Sequence, residues 1–210
     1  MKYKNLIFDI DGTLWDSRSI VAKGYNYHLE QVGLSHLCVT AEDLRPLFGK
    51  VMSEIADILF HSLPETERYP LLEMCMEWEH RFLEADPCDT IAFPKVKQTI
   101  AKLAETHNLY IVSNSQTGYP ELCMDKLGLN PYILDHLCFG ETGTSKGKTI
   151  RKLMERNNID EKDVIYIGDT QGDYEATVEA GIPFIWCTFG FGTPAGYEAK
   201  IDSFEELLSL

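Results

Sequence analysis

Leu6-Ile7-Phe8-Asp9-Ile10-Asp11-Gly12-Thr13-Leu14 stands near the start of a chain of 210 residues. Three apolar residues, Leu6 to Phe8, run into Asp9, Asp11 follows two places later, and Gly12 closes the run. An apolar run that short, rich in β-forming residues and closed by glycine, predicts a buried parallel strand ending in a turn. Successive strand side chains alternate between faces, so Asp9 and Asp11 share one side if the strand geometry persists. Two like charges at the carboxyl end of a buried strand are costly unless a cation joins them. Core packing has no use for such a pair, so the stretch points to chemistry.

The composition sets the bounds. A hydrophobic content of 44% and a charged content of 25% are ordinary for a globular protein with one core, or one core with an inserted subdomain. The formal charge of −14, from 33 acids against 19 bases, argues against a nucleic-acid or membrane-surface partner, because no basic stripe is there to displace counterions. It leaves room for one small anion, since a local cation overrides the general field. Six cysteines, at 38, 75, 88, 123, 138 and 187, form no C-x-x-C pair, which fits reduced thiols in a cytoplasmic protein. The six histidines make no zinc-like cluster. Met1-Lys2-Tyr3-Lys4-Asn5 reaches Asp9 too early for a secretory leader, and no apolar run approaches the roughly 20 residues of a membrane span.

Beyond the opening strand, residues 18–86 read as helical throughout. Val21, Tyr25, His28, Leu29 and Val32 fall near helical spacing, and stretches 40–48, 52–60 and 67–85 look similar. Thr40 with Asp43 predicts a helix start. In the last stretch Leu72, Cys75, Met76, Glu79, Phe82 and Leu83 form a mostly apolar face. After Asp86-Pro87 the pattern changes. A helix over 94–106 leads to the apolar run Leu109-Tyr110-Ile111-Val112, which ends at Ser113-Asn114-Ser115. A helix over 119–127, a weak strand near 137–139 and a helix over 148–157 follow. Val164-Ile165-Tyr166-Ile167 then runs into Gly168-Asp169, and after a helix over 173–180 the strand Phe184-Ile185-Trp186-Cys187 closes the series. Alternating strands and helices predict right-handed βαβ units in an α/β fold, a doubly wound, Rossmann-like parallel sheet with an inserted α-helical cap. The expected core covers 1–16 and 87–210, and the cap covers 17–86.

In such sheets ligands bind beyond the carboxyl ends of the strands, where the strand order reverses. Three strong strands here end in polar residues: Asp9 and Asp11, Ser113 and Asn114, and Asp169. Asp173 follows one helical turn later and can lean over the same crevice. These groups, far apart in the chain, are expected to converge.

Asp9-Ile10-Asp11-Gly12-Thr13-Leu14 resembles the first motif of the haloacid dehalogenase superfamily of phosphatases and phosphomutases. Ile111-Val112-Ser113-Asn114 resembles the second motif, and Gly168-Asp169-Thr170-Gln171-Gly172-Asp173 the acidic fourth. A helical insertion directly after the first motif is similar to the cap of the phosphoglycolate phosphatase-like branch. For the third motif, a lysine, Gly143-Thr144-Ser145-Lys146-Gly147-Lys148-Thr149 offers two candidates. Lys146 is preferred, because it falls just before the expected helix start, as the family lysine does. The same stretch mimics a nucleotide-binding P-loop, but Thr142 stands where that motif requires glycine.

The resemblance implies roles that physical chemistry supports. Asp9 attacks phosphorus and forms an aspartyl-phosphate, splitting hydrolysis into two easier steps. Asp11 protonates the leaving oxygen and then takes a proton from water. Mg²⁺, which prefers hard oxygen ligands, is implied at Asp9, Asp11 (through its backbone carbonyl), Asp169 and Asp173. Ser113, Asn114 and Lys146 contact the phosphate, Lys146 also neutralising the nucleophile. Asp11 favours phosphoryl transfer over dehalogenation, since a halide leaving group needs no acid. The expected function is Mg²⁺-dependent hydrolysis of a small phosphorylated metabolite. A phosphomutase on a sugar phosphate and a non-catalytic phospholigand-binding protein are the alternatives.

Other residues read more plainly. Trp15 is expected to pack at the hinge, and Asp16-Ser17 to cap the first cap helix or touch substrate. Arg45, Gly49 and Lys50 lie in a connection that could face the site. Met74, Met76 and Trp78 are expected to pack within the bundle. Phe189-Gly190-Phe191-Gly192-Thr193 is expected to be structural or an edge of the pocket.

Overall fold

The structure, a computed structural model, describes residues 2–210; Met1, the first residue of the expected core stretch, lies outside the described residues. The strands are β1 (Asn5–Phe8), β2 (Asn108–Ser113), β3 (Ile133–Cys138), β4 (Val164–Gly168), β5 (Phe184–Cys187) and β6 (Ala199–Ile201). They form a six-stranded sheet in the order β3-β2-β1-β4-β5-β6, and every pairing is parallel. Phe8 stands level with Ile111 on one side and Ile167 on the other, so the carboxyl ends of β1, β2 and β4 open together. The chain winds from β1 outward through β2 to β3, then returns to β4 on the other side of β1. That reversal places a crevice at the end of β1.

The helices are α1 (Arg18–Gln31), α2 (Ala41–Leu44), α3 (Met52–Leu59), α4 (Glu65–Ala85), α5 (Val96–Leu103), α6 (Tyr119–Leu127), α7 (Phe139–Thr142), α8 (Lys146–Arg156) and α9 (Gln171–Ala180). Alternation along β1 sends Leu6 and Phe8 to one face, against Ile100 of α5 and Leu122 of α6. Ile7 goes to the other face, with Ile150 and Leu153 of α8 and Ala176 of α9. Both faces are covered, which is why the central strands read as continuous apolar runs. Helices α1 to α4 bury a third cluster of their own, including Val21, Tyr25, Leu29, Ile55, Phe60 and Leu72.

Several boundaries differ from expectation. β3 begins at Ile133, earlier than the weak run at 137–139 suggested, because Leu134 is exposed and Asp135 half-buried on this edge strand. β6 was not expected: it has three residues, of which Ile201 alone is buried. α8 starts at Lys146, with Ser145 at its N-cap accepting from the Lys148 N–H at 3.4 Å. α5 is shorter than 94–106, since Lys95 in front of it takes φ 67°. Thr40 and Asp43 form a capping box as expected, but α2 then lasts four residues before the chain turns through Gly49. Among the described residues no helix is long and apolar enough to cross a membrane, and no disulfide links the cysteines.

Candidate active site

The Asp9 N–H donates to the Ile167 carbonyl at 2.8 Å, which extends the β1 ladder by one residue. The chain then leaves strand geometry: the Leu14 N–H returns to the Ile10 carbonyl at 2.7 Å, and Gly12 takes φ 81°. A Cβ at position 12 would overlap the Asp169 carboxylate, so conformation and close approach both require glycine here. Strand geometry therefore does not persist to Asp11, and it is the turn, not alternation, that brings Asp9 and Asp11 to one cavity. Their carboxylates meet different partners.

Asp9 Oδ1 accepts from Lys146 Nζ at 2.9 Å. The lysine is the first residue of α8, is 5% exposed, and reaches across to Asp173 Oδ1 at 2.6 Å, with its ammonium over the Tyr166 ring. Lys148, the competing candidate, is exposed. Asp9, Asp169 and Asp173 bring carboxylate oxygens to within 4.8 Å of one another, all three side chains buried. Asp173 is the third residue of α9 and closes a capping box with Thr170: its Oδ2 accepts from the Thr170 N–H at 3.0 Å and the Thr170 hydroxyl at 2.7 Å. Asp169 Oδ2 accepts from the Phe191 N–H at 2.6 Å, and a Cβ at Gly190 would overlap the same carboxylate. The loop 189–193 therefore cradles Asp169.

The electrostatics follow from that crowding. Burial, then the neighbouring Asp173, pushes Asp9 up to about 7 against the pull of Lys146. Burial and Asp173 also hold Asp169 well above the usual carboxylate range. Burial would raise Asp173 as well, but Lys146 and the Thr170 hydrogen bonds overcome it and hold the group below its ordinary value. Lys146 stays raised despite burial, because two carboxylates flank it. Asp169 Oδ1 is buried with no hydrogen-bond partner among the described residues. An orphaned oxygen inside a set of three hard, anionic donors fits a small hard cation such as Mg²⁺.

The Asp11 side chain lies outside that group, in keeping with an expected metal contact through its backbone carbonyl alone. Its Oδ1 accepts from Ser17 Oγ at 2.7 Å, the Tyr119 hydroxyl at 2.8 Å and Trp15 Nε1 at 3.0 Å. Burial raises Asp11 to about 6 against those three donors. Trp15 packs as expected, edge-on to Tyr119, but it also orients Asp11. Ser17 occupies the N-cap of α1 without capping it, because its hydroxyl is given to Asp11. Asp16 instead holds the guanidinium of Arg18, with contacts of 2.8 Å.

Ser113 is buried at the end of β2, its Oγ accepting from the Ser115 N–H at 3.2 Å. Asn114 Nδ2 donates to the Gly49 carbonyl at 2.7 Å, while its Oδ1 is buried without a partner among the described residues. The connection after α2 does reach the site. Arg45 donates to the Gly190 carbonyl at 3.2 Å, and Phe48 lies against Phe191. A narrow cavity of about 40 Å³ lies between these walls. Asp9, Asp11 and Ser113 line it from below, Tyr25, Phe48 and Glu79 from above. A wider groove of about 630 Å³ opens outside it, past Lys50, Asn114 and Lys146.

Sequence reasoning missed Tyr119 and Gln116, and the roles of Ser17, Tyr25 and Glu79. The one available signal was Glu79 itself, an acid on an otherwise apolar helix face. Met74 also departs from expectation: it is exposed, whereas Met76 packs.

A family model described as haloacid dehalogenase-like hydrolase matches residues 6–187. The phosphoglycolate phosphatase of Agrobacterium fabrum is 28% identical over 193 residues, covering 88% of this chain and 80% of that protein. That of Aquifex aeolicus is 26% identical, covering 89% and 85%. A haloacid dehalogenase-like hydrolase from Streptococcus pneumoniae superposes with a TM-score of 0.84 at 19% identity, over 99% of this chain and 98% of its own, a likeness of fold.

Proposed function

The chain belongs to the haloacid dehalogenase-like hydrolases, and from that premise we propose that it hydrolyses a small phosphate monoester in the presence of Mg²⁺, with Asp9 as nucleophile. The observation that carries this reading is the buried cluster of Asp9, Lys146, Asp169 and Asp173 at the carboxyl ends of the central strands. Relatives named as phosphoglycolate phosphatases support a phosphorylated substrate.

Asp9, Asp169 and Asp173 would hold the cation, and the orphaned Asp169 Oδ1 is the atom most in need of one. When bound, Mg²⁺ supplies positive charge against the phosphoryl oxygens and permits a carboxylate to approach them. Lys146, fixed by two carboxylates, keeps Asp9 oriented and adds a second positive charge. One Asp9 oxygen forms a bond to phosphorus as the ester P–O bond breaks, and Asp11 gives its proton to the departing alkoxide. Water then attacks phosphorus. Asp11 takes the water proton, the Asp9–phosphorus bond breaks, and inorganic phosphate leaves. Asp11 suits this work because Ser17, Trp15 and Tyr119 converge on its Oδ1 and hold the carboxyl in one orientation. Ser113 and Asn114 supply donors for the phosphate.

In this reading residues 1–16 and 87–210 form the catalytic core. Residues 17–86 form a cap, and its connection through Arg45, Gly49 and Lys50 covers the entrance. The acidic composition and unpaired cysteines support a cytoplasmic enzyme acting on a small metabolite, without nucleic acid or membrane. Phosphate release from a panel of esters, with and without Mg²⁺, tests the reading. Metal-dependent release that Asp9→Asn abolishes supports it. Isomerised sugar phosphate without free phosphate would replace hydrolysis with a mutase reaction, and ligand binding without turnover would remove the enzyme reading.

A further inference from the structure

The turn that follows β2 meets the cap at two points. Asn114 Nδ2 donates to the Gly49 carbonyl at 2.7 Å, in the connection between α2 and α3, and Gln116 Nε2 donates to Glu79 Oε1 of α4 at 3.1 Å. Among the described residues these are the only hydrogen bonds that the side chains of 114–116 donate, while Asn114 Oδ1 and Ser115 Oγ are buried without a partner. The backbone is tied the other way, the Gly140 N–H donating to the Ser115 carbonyl at 3.0 Å. Side chains of the turn bond to the cap, and its backbone bonds to the core. Glu79 is the unusual member of this contact. It is 4% exposed on the face of α4 that carries Leu72, Cys75, Met76 and Leu83, where a carboxyl group is expensive unless it has a partner or a task. Its place is fixed as well, since a Cβ at Gly24 of α1 would overlap the α4 backbone at Glu79.

We infer that Glu79 and Gln116 form a positioning pair that seats the cap on the turn carrying Ser113 and Asn114, so that these two donors are aligned for the phosphate only while α4 is docked. The inference rests on the phosphatase reading above and adds two residues to that site. Gly49 and Glu79 belong to one packed body, because Leu47 and Phe48 share a cluster with Tyr25, Leu72 and Cys75. Drawing α4 away from Gln116 therefore also draws the Gly49 carbonyl away from Asn114. The pair touches no reacting atom and acts through the turn. An apolar residue at position 79 would suit its helix face but would leave Gln116 Nε2 without its acceptor in a half-buried place. Burial raises Glu79 to about 8, so the neutral acid is the form that meets Gln116 near pH 7. A glutamine there keeps the same acceptor oxygen.

The test combines steady-state kinetics and phosphate binding on Glu79→Leu, Gln116→Leu, the double variant and Glu79→Gln. With an ester that the parent hydrolyses, each leucine variant should lose kcat/KM by about tenfold, the scale of one hydrogen bond. The double variant should lose no more than either alone, because both remove the same contact. Inorganic phosphate, which has no alcohol portion, should bind each leucine variant more weakly by a similar factor in calorimetry with Mg²⁺. Glu79→Gln should recover most of both losses. Losses that multiply to about 100-fold in the double variant, or phosphate affinity equal to the parent's in the leucine variants, overturn the pair and leave the phosphatase reading standing. Glu79→Gln no better than Glu79→Leu also overturns it. A parent that hydrolyses no ester overturns the phosphatase reading, and phosphate binding then decides the pair; a parent that binds no phosphate either removes both. Either leucine variant alone, compared with the parent in phosphate binding, decides the question if the other does not fold.

Discussion

Lys146 Nζ lies 2.9 Å from Asp9 Oδ1, and both side chains are buried, although 137 residues separate them in sequence. The contact joins the first residue of α8 to the end of β1 and holds the proposed nucleophile in one orientation. The same ammonium reaches Asp173, so a single lysine ties together the first and last acidic motifs of the chain.

Lys146→Ala therefore removes the shared partner of two buried carboxylates. Turnover should fall by about 100-fold or more, and unfolding free energy by on the order of 3 kcal/mol, since a buried charge is left unpaired. Lys148→Ala should stay close to the parent in both, because Lys148 is exposed. Steady-state kinetics and urea melts on the two variants check this, and near-normal turnover in Lys146→Ala would reverse the assignment.

Two glycines with similar backbone angles should respond differently to alanine. Gly33, at φ 76°, has nothing near its Cβ position among the described residues, so Gly33→Ala should cost about 1 kcal/mol from conformation alone. Gly12, at φ 81°, faces the Asp169 carboxylate as well. Gly12→Ala should destabilise by clearly more, about 3 kcal/mol or above, and abolish turnover by displacing Asp169. Equal melting temperatures for the two variants would contradict the close approach.

Burial raises Glu79 to about 8, from an ordinary value of 4.5, with Gln116, Tyr25 and Asp11 as the facing polar groups. The folded protein then holds a proton that the unfolded chain has released between those two values. Its stabilising contribution is full below pH 4.5 and is lost as the pH rises towards 8. Glu79→Gln removes this dependence, so its stability relative to the parent should improve by a few kcal/mol between pH 5 and pH 9, taking about 1.4 kcal/mol per unit as the scale. Urea melts across that range test it. Parallel curves would place the Glu79 carboxyl in a more solvated setting.

Metal binding should be visible without turnover. A cation that binds the folded chain alone stabilises it by about 3 kcal/mol at a hundredfold excess over Kd, on the order of 5–10 °C in Tm for 210 residues. Mg²⁺ titrations followed by thermal melting measure this. The shift should vanish in Asp169→Asn, whose parent carboxylate holds the orphaned Oδ1. An equal shift in the variant would remove Asp169 from the ligand set.

The sheet was legible where strands are buried on both faces. Leu6 to Phe8, Leu109 to Val112 and Val164 to Ile167 are continuous apolar runs because helices cover them above and below. β6 was not, since one buried residue, Ile201, leaves no period to read. At the site, Asp9, Asp169 and Asp173 could be read from position at strand ends and one helical turn beyond. The side-chain partners of Asp11 could not be read, because the turn at Gly12 ends strand alternation and Ser17, Trp15 and Tyr119 reach it from outside the strand. Tyr119, which meets Asp11 across 108 residues of sequence, carried no local signal at all. Glu79 was visible as an acid on an apolar face, but periodicity cannot say which cavity that face lines.

The central claim is covalent participation of Asp9. Acid quenching during turnover of a hydrolysed ester, followed by peptide mass analysis, tests it most directly. The expected result is a phosphoryl group on the peptide containing Asp9, absent from Asp9→Asn, which also releases no phosphate. Phosphate release that persists at the parent rate in Asp9→Asn, with no phosphorylated peptide in either protein, would contradict the account.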